Sequence, residues 1–354
     1  MRATRPEAVV NSSLPLRILL SRQALTRWRA DIEHVLAEHG RDALEFVTTE
    51  SAVTGARDDI DIAFISRDIT GLSTKHEIAP ALRACYEVLS RSQGLRWVHV
   101  HSAGTDRDIY MELHARGVHV TTSSGANADV VAQSMLAGLL ALARRLPQLM
   151  AAQREHRWAP LLNDPPPSVA GQTALLVGWG PIGQRIAALL LALGLKVVVV
   201  RRQAAPALGG VEFVGYDDFH AHLPGTNWLL LACPLTERTH RLADARALAA
   251  LPAGAQLINV SRGAVVVEAD LIAALRSGHL GGAFLDVYEH EPLPATSPLW
   301  DLPNVIATPH TAGHFSGHEQ RVAALFLDNL ARWCTGRALV NLAHPAMGAA
   351  PARP

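Results

Sequence analysis

The sequence predicts an α/β protein with two domains built on parallel β-sheets. Short apolar segments of strand length alternate with longer helical segments through nearly the whole chain, which is typical of parallel α/β architecture. The chain has 354 residues, more than one hydrophobic core usually organises. A proline-rich break at residues 163–167 (NDPPP) divides the pattern, because consecutive prolines cannot continue a helix or a sheet.

The first α/β series precedes this break. Its short apolar runs predict buried strands at 17–21, 62–66, 97–100 and 118–121. Helices are predicted between them over 24–38, 77–91 and 106–116. A longer helix, rich in alanine and leucine, is predicted over 127–146 and ends at Pro147.

The second series follows the break and is the fuller of the two. It contains predicted strands at 173–177, 196–200, 211–214, 228–232, 256–260, 282–285 and 305–307. The predicted helices lie at 182–193, 243–251 and 268–277, and a final helix is expected within 315–335.

Composition excludes several classes of partner. Lysine plus arginine and aspartate plus glutamate both number 32, so no basic excess favours nucleic acid or an anionic membrane. The three cysteines are far apart and lack the spacing of a metal or redox site. The N-terminus has no apolar core of a secretory signal, and no apolar run is long enough to span a membrane. We therefore expect a cytoplasmic protein.

Some histidines need separate consideration. His310, His314 and His318 are spaced four apart and could suggest a metal site on a helix. The intervening residues include glycine and serine, which disfavours a helix there, and we expect no metal. His99 and His101 flank a loop of the first series, where His101 could contact a substrate and either histidine could simply lie at the surface.

A glycine-rich turn predicts a dinucleotide site. The segment 178–183 (GWGPIG) follows one predicted strand and opens the next helix. In such a turn Gly178 permits the tight bend, Gly180 lets a pyrophosphate approach the backbone, and Gly183 allows close packing of helix on strand. The pyrophosphate is stabilised by the N-terminus of the helix. The predicted cofactor residues here are Gly178, Gly180, Pro181, Ile182 and Gly183.

The residues after the next strand bear on the choice of cofactor. An NAD site usually has an Asp or Glu there, but this chain has Arg201 and Arg202. Guanidinium groups match the 2′-phosphate of NADP, so NADP is favoured and NAD remains possible. The alternative is that both arginines are merely solvated at a strand end.

Three polar residues follow separate predicted strands of the second series. Arg262 follows QLINV, Glu291 lies beyond FLDV, and His310 follows VIA. The carboxyl ends of strands in an open α/β sheet face the ligand crevice, so these three side chains can converge beside a cofactor.

The chain resembles the D-isomer-specific 2-hydroxyacid dehydrogenases, in particular glyoxylate/hydroxypyruvate reductases. The matching segments are 178–183 (GWGPIG), 232–239 (ACPLTERT), 258–263 (INVSRG), 284–294 (FLDVYEHEPLP) and 307–313 (ATPHTAG). The resemblance implies two Rossmann-like domains separated by a cleft. A flavodoxin-like substrate domain would contain 1–135 plus 312–354, and the NAD(P)-binding domain would contain 136–311.

The resemblance also implies hydride transfer between NAD(P)H and a small 2-oxo/2-hydroxy acid. His310 would be the general acid/base, Glu291 would hold its imidazole ring, and Arg262 would bind the substrate carboxylate and polarise the carbonyl. Glu289 is the competing carboxylate, and we expect it to be solvated. The predicted catalytic set is therefore Arg262, Glu291 and His310.

Further residues carry over from the resemblance one at a time. Asp286 would bind the nicotinamide carboxamide, and Ala312 with Gly313 would lie along the nicotinamide. Cys233 and Pro234 would line the adenosine, and Thr239 would approach the phosphates. The remaining expectations are cofactor contacts at Val260 and Ser261, and substrate contacts at Ala103, Gly104, Thr105 and Asn127.

Two other functions remain open from the sequence. One is oxidation of formate or phosphite, although the extended N-terminus of formate enzymes is missing. The other is a non-enzymatic, nucleotide-sensing scaffold of the same fold. A homodimer is expected from the resemblance, with the helix at 127–146 as its interface.

Overall fold

The computed structural model describes residues 15–53, 59–74, 77–105 and 107–343. It divides into two compact units: the first combines the described residues up to Ala126 with those from Ser316 onward, and the second is Asn127–Phe315. The N-terminal segment considered as a targeting signal and the predicted helix start at Asp106 lie outside the described residues. The predicted domain boundaries at 135/136 and 311/312 stay a prediction.

The first unit contains a five-stranded parallel sheet in the order β2-β1-β3-β4-β5. This is the flavodoxin-like strand order, which agrees with the predicted fold class. The strands are β1 (Leu16–Leu20), β2 (Leu44–Thr48), β3 (Ile62–Ile65), β4 (Trp97–Val100) and β5 (His119–Thr122). The helices are α1 (Arg22–Glu38), α2 (Thr49–Val53), α3 (Arg67–Thr70), α4 (Pro80–Arg91), α5 (Asp108–Ala115) and, from the end of the chain, α12 (His318–Cys334).

The second unit contains an eight-stranded sheet in the order β13-β12-β11-β10-β6-β7-β9-β8. Its central strands follow the order of a dinucleotide-binding Rossmann sheet, and the order reverses between β6 and β10. The strands are β6 (Thr173–Val177), β7 (Lys196–Arg201), β8 (Ala205–Leu208), β9 (Val211–Gly215), β10 (Trp228–Leu231), β11 (Ala255–Asn259), β12 (Leu280–Leu285) and β13 (Val305–Ala307). The helices are α6 (Ala128–Ala143), α7 (Leu146–Arg154), α8 (Pro181–Ala192), α9 (Phe219–His222), α10 (Ala245–Ala250) and α11 (Glu268–Arg276).

Two edge strands were not predicted. The strand β2 is only half buried, because it lies at the sheet edge and carries polar residues among its apolar ones. The strand β8 is mostly exposed and pairs antiparallel with β9. The turn between β8 and β9 is Gly209-Gly210. Both glycines have positive φ, and a glycine pair is a common sequence signal for a two-residue hairpin. The polar residues of β2 and the Pro206 of β8 interrupt the apolar run that marks a buried strand, so the pattern of apolar residues alone misses these two strands.

The helix predicted over 127–146 is wrong at its C-terminal end. The helix α6 ends at Ala143, and Arg145 adopts a left-handed conformation with φ 52°. The helix α7 then begins, with Pro147 in its first turn, where a missing backbone N–H costs nothing. Most of the length of α6 packs within the second unit, where Gly138 lies against the ring of Phe284.

Among the described residues, no helix is both long and apolar enough to cross a membrane.

A buried polar network occupies the core of the first unit. The surface position considered for His99 is wrong, since its side chain is completely buried. Its Nδ1 lies 2.8 Å from the Thr121 hydroxyl and its Nε2 lies 3.1 Å from the Ser123 hydroxyl. Burial, with a smaller effect from His101, lowers the pKa of His99 to about 3. The imidazole is therefore neutral in the folded protein at any ordinary pH.

We expect this network to make the protein sensitive to acid. The pKa of His99 is depressed on folding, so the unfolded chain binds a proton below about pH 6.5 that the folded chain does not. The free energy of unfolding should fall by roughly 1 kcal/mol for each pH unit between pH 6 and pH 4. Urea unfolding monitored by circular dichroism measures this slope. His99→Gln should flatten it, whereas His34→Gln, at an exposed position of α1, should not. Equal slopes in both variants would contradict the assignment.

Candidate active site

The three predicted catalytic residues follow three neighbouring strands. The strands β11, β12 and β13 are parallel neighbours, and Asn259 is level with Leu285, which is level with Ala307. The loops that leave these strands therefore start side by side at the carboxyl edge of the sheet. They carry Arg262, Glu291 and His310, all within the second unit.

His310 and Glu291 form a hydrogen-bonded pair. The Nδ1 of His310 lies 2.8 Å from Oε2 of Glu291, whose Oε1 accepts a hydrogen bond from the Tyr288 N–H at 3.1 Å. Burial raises the pKa of Glu291, but His310, the Tyr288 N–H and Arg262 together bring that pKa below its ordinary value. Glu291 is thus ionised at neutral pH and accepts a hydrogen bond from the Nδ1–H of His310, which leaves Nε2 for a reacting group.

The exposure of the pair suits proton transfer. The His310 side chain is 50% exposed, whereas that of Glu291 is 14% exposed. His310 has a φ of 53°, a conformation that non-glycine residues rarely adopt and that often occurs at functional sites. Of the two competing glutamates, Glu291 faces the imidazole, and Glu289 instead accepts a hydrogen bond from the Glu268 N–H.

Arg262 stands on extended backbone just before a short 3-10 turn. Its Nη1 donates to the Ser261 carbonyl at 2.7 Å, and its own carbonyl accepts from the Asn259 side chain at 3.1 Å. The next residue, Gly263, lies directly against the backbone of Tyr288, since a Cβ at this position would be 1.8 Å from the Tyr288 carbonyl carbon. The arginine loop and the glutamate loop are therefore in close contact.

Asp286 holds the loop that carries His310. Its carboxylate accepts hydrogen bonds from the Thr308 hydroxyl at 2.6 Å and from the N–H groups of Thr311 and Ala312 at 2.8 and 3.0 Å. Its carbonyl accepts the N–H of His310 at 2.9 Å. The four hydrogen bonds that Asp286 accepts thus set the turn around His310. The contact predicted between Asp286 and the carboxamide stays a prediction.

The glycine-rich turn has the shape that a dinucleotide needs. A Cβ at Gly178, where φ is 113°, would clash with the Ala232 carbonyl, and one at Gly183 would clash with the Gly178 carbonyl. A Cβ at Gly180 would meet nothing within 4 Å. Pro181 and Ile182 then begin α8. The turn is therefore closed where the protein packs and open where a pyrophosphate would approach, at the point where the strand order reverses.

Arginines surround the end of β7. The guanidinium carbon of Arg201 lies 5.6 Å from the ring centre of Phe213, while Arg202 follows as an exposed residue. A further guanidinium, that of Arg238, lies 6.0 Å from the ring centre of Tyr216. Burial raises the pKa of Tyr216 to about 12, against the opposing effect of Arg202 and Arg238. Arg238 was not predicted as a cofactor residue.

Other predicted cofactor residues are buried in their loops or form hydrogen bonds within them. The Thr239 side chain is buried, and its hydroxyl donates to the Pro234 carbonyl at 2.7 Å. Burial raises the pKa of Cys233 to about 12, so its thiol stays protonated. Val260 is half buried, and Ser261 bonds the Asn259 side chain through its N–H and its hydroxyl. The cofactor contacts of these residues stay predictions.

The predicted substrate residues fall in different units. Ala103, Gly104 and Thr105 lie in the first unit, in the loop after β4, where the Ser102 hydroxyl donates to the Gly104 carbonyl at 2.9 Å. Asn127 belongs to the second unit, and its side-chain amide lies against Gly313, where a Cβ would be 2.2 Å from Nδ2. Their contacts with a substrate stay predictions.

The histidine spacing considered as a metal motif does not lie on one helix, because α12 begins only at His318. Within the described residues, no three histidine, cysteine or acidic side chains are grouped as metal ligands would be.

Known proteins are similar to this chain over most of its length. Residues 136–312 match the family model of the D-isomer specific 2-hydroxyacid dehydrogenase, NAD binding domain. A glyoxylate reductase of Korarchaeum cryptofilum is 31% identical over 264 residues, which cover 73% of this chain and 79% of that protein. A glyoxylate/hydroxypyruvate reductase B of Citrobacter koseri is 33% identical over 263 residues, which cover 73% and 81%.

A solved structure is similar as well. The D-isomer specific 2-hydroxyacid dehydrogenase of Xanthobacter autotrophicus, in complex with NADPH and MES, matches with a TM-score of 0.75 and 29% identity, covering 94% of this chain and 99% of that one. The sequence motifs, the Rossmann strand order and these matches agree. The chain belongs to the D-isomer specific 2-hydroxyacid dehydrogenase family of NAD(P)-dependent oxidoreductases.

Proposed function

We propose that this chain reduces a small 2-oxo acid of the glyoxylate or hydroxypyruvate type to the 2-hydroxy acid, using NADPH. The observation that carries the proposal is the 2.8 Å pair of His310 and Glu291 beside the Arg262 loop, on the same sheet as the open glycine turn. The names of the Korarchaeum and Citrobacter relatives support the substrate class.

The proposed roles follow from the chemistry of each side chain. A bound nicotinamide cofactor supplies the hydride. Arg262 binds the substrate carboxylate and stabilises the negative charge that develops on the carbonyl oxygen. The Nε2 of His310 donates a proton to that oxygen, while Glu291 holds Nδ1 and stabilises the imidazole ring. In the oxidative direction, His310 accepts the same proton.

The function is tested with purified protein and a panel of 2-oxo acids. NADPH oxidation, followed at 340 nm, should be fastest with glyoxylate or hydroxypyruvate. Turnover of formate or phosphite instead would replace the proposed substrate class. NADPH binding without turnover of any of these compounds would favour the scaffold function.

The preference for NADP rests on Arg201 and Arg202, to which we add Arg238. At the end of β7 the sequence has Arg201 and Arg202 in place of the Asp or Glu that usually binds the ribose hydroxyls of NAD, and guanidinium groups bind a phosphate through charge-assisted hydrogen bonds. Asp217 occupies one edge of the Arg238 guanidinium, at 3.1 Å, and a guanidinium has further donors. The NADPH in the Xanthobacter structure supports the same choice.

We expect the change of Arg201 and Arg202 to serine to raise the Kd for NADPH about 100-fold, because two charge-assisted contacts are lost. The Kd for NADH should change less than about threefold. Quenching of protein fluorescence measures both constants. Arg276→Ser is the matched control, since Arg276 is exposed at the end of α11 and precedes β12, which three strands separate from β7 in the sheet. A wild-type protein that binds NADH more tightly would contradict the preference.

We also propose a homodimer. The helix α6, which forms most of the predicted interface segment 127–146, is mostly buried, so the exposed apolar residues after α6 are better candidates. Leu146, Met150, Trp158 and Leu162 are exposed, Trp158 at 93%. Sedimentation should give a dimer that Trp158→Ser weakens, and a wild-type monomer at micromolar concentration would contradict the proposal. Neither nucleic acid nor membrane is among the proposed partners.

A further inference from the structure

Tyr288 contacts the loops of all three predicted catalytic residues. Its side chain is buried, and its hydroxyl lies 2.9 Å from the Leu285 carbonyl and 3.0 Å from the Thr308 carbonyl. Leu285 ends β12, and Thr308 follows the end of β13. A phenol has one proton, which these two carbonyls share. The hydroxyl therefore joins the start of the Glu291 loop to the start of the His310 loop.

The backbone of Tyr288 provides the other contacts. Its N–H donates to Oε1 of Glu291 at 3.1 Å, opposite the oxygen that bonds His310. Its carbonyl group lies against Gly263, the residue after Arg262. A shift of Tyr288 would therefore move the carboxylate and the arginine loop together.

We infer that Tyr288 is a positioning residue, whose hydroxyl keeps the Glu291 and His310 loops in register. The inference rests on the proposed catalytic roles of these two residues. Burial raises the pKa of Tyr288 above its ordinary value, so the hydroxyl stays protonated and can donate throughout the working pH range.

Removal of this hydroxyl should leave the fold intact. The Leu285 carbonyl also accepts the Thr308 N–H at 2.9 Å, and the Thr308 carbonyl also accepts the His310 N–H at 3.0 Å. Neither carbonyl is left without a donor in Tyr288→Phe, so the variant avoids the full cost of a buried unsatisfied group. What it loses is the direct link between the two loops.

The matched control is Tyr110→Phe. Tyr110 is buried in the first unit, and its hydroxyl lies 3.3 Å from the Tyr86 hydroxyl. Both variants remove one buried phenol oxygen, so a purely structural effect should appear equally in both. Only Tyr288→Phe removes a contact with the catalytic loops.

The test combines turnover with a readout that needs no turnover. With glyoxylate and NADPH, Tyr288→Phe should lower kcat about tenfold or more, because small misplacements of catalytic groups slow the reaction strongly. The KM for glyoxylate and the Kd for NADPH should change less than threefold. Nitrogen-15 NMR should show faster solvent exchange of the His310 Nδ1 proton than in wild type. Tyr110→Phe should match wild type in all of these measurements.

Unchanged kcat and unchanged Nδ1 proton exchange in Tyr288→Phe would overturn the inference. So would equal effects in both variants, which would indicate a loss of stability only. If the wild-type protein reduced no 2-oxo acid, the proposed function would fail, and the exchange of the His310 proton would still decide whether Tyr288 holds the pair.

Discussion

Replacement of His310 by glutamine is expected to lower kcat about 1,000-fold with glyoxylate and NADPH. A general acid contributes roughly 100-fold to 10,000-fold, and glutamine has no titratable proton to give. The amide of glutamine can still donate to Glu291, so the 2.8 Å contact is replaced by a hydrogen bond of similar kind. The Kd for NADPH should stay within about threefold of wild type, which separates a loss of chemistry from a loss of binding.

The control for this variant is His290→Gln. His290 is exposed and lies in the same loop as Glu291, but its Nδ1 lies 3.4 Å from the Pro292 carbonyl, whereas Glu291 bonds the His310 ring. Near wild-type turnover is expected. If His290→Gln were as impaired as His310→Gln, or if His310→Gln kept more than a tenth of the wild-type kcat, His310 would not be the proton donor.

His310 and Glu291 should act as one catalytic unit. Glu291→Gln keeps the size of the side chain but loses the carboxylate that accepts the hydrogen bond from the His310 Nδ1–H, so kcat should fall substantially. The double variant with His310→Gln should be no slower than His310→Gln alone, because residues that act together are not additive. Losses that multiply in the double variant would indicate two independent roles.

The second large effect is expected at Arg262. Arg262→Gln should lower kcat/KM for glyoxylate about 100-fold to 1,000-fold, because the variant loses both the cation for the substrate carboxylate and a donor for the developing oxyanion. Both kcat and KM should be impaired, unlike in His310→Gln, where kcat carries most of the loss. Steady-state kinetics over a range of glyoxylate concentrations separates the two parameters.

Two further variants test the role of Arg262. Arg262→Lys keeps the charge but not the planar pair of donors, so its kcat/KM should lie between those of wild type and Arg262→Gln. Arg276→Gln removes an exposed arginine from the end of α11 and should leave kcat/KM unchanged. A normal KM for glyoxylate in Arg262→Gln would exclude Arg262 as the carboxylate ligand.

The fold class was predictable because its signal is local. The buried strands of both sheets are continuous apolar runs, and the glycine turn can be located from a few adjacent residues. The edge strands β2 and β8 lack such runs. The break between α6 and α7 depends on the left-handed backbone of Arg145, which no apolar pattern indicates.

The sequence alone determined the two α/β units, the dinucleotide turn and the candidate trio of Arg262, Glu291 and His310, because each depends on residues adjacent in the chain or on the ends of predictable strands. Only the tertiary structure decided that Glu289 bonds the Glu268 N–H and that Asp286 holds the His310 loop. It also placed Tyr288 against all three loops. These facts depend on contacts between segments distant in sequence, and burial and loop packing become defined only when the strands assemble.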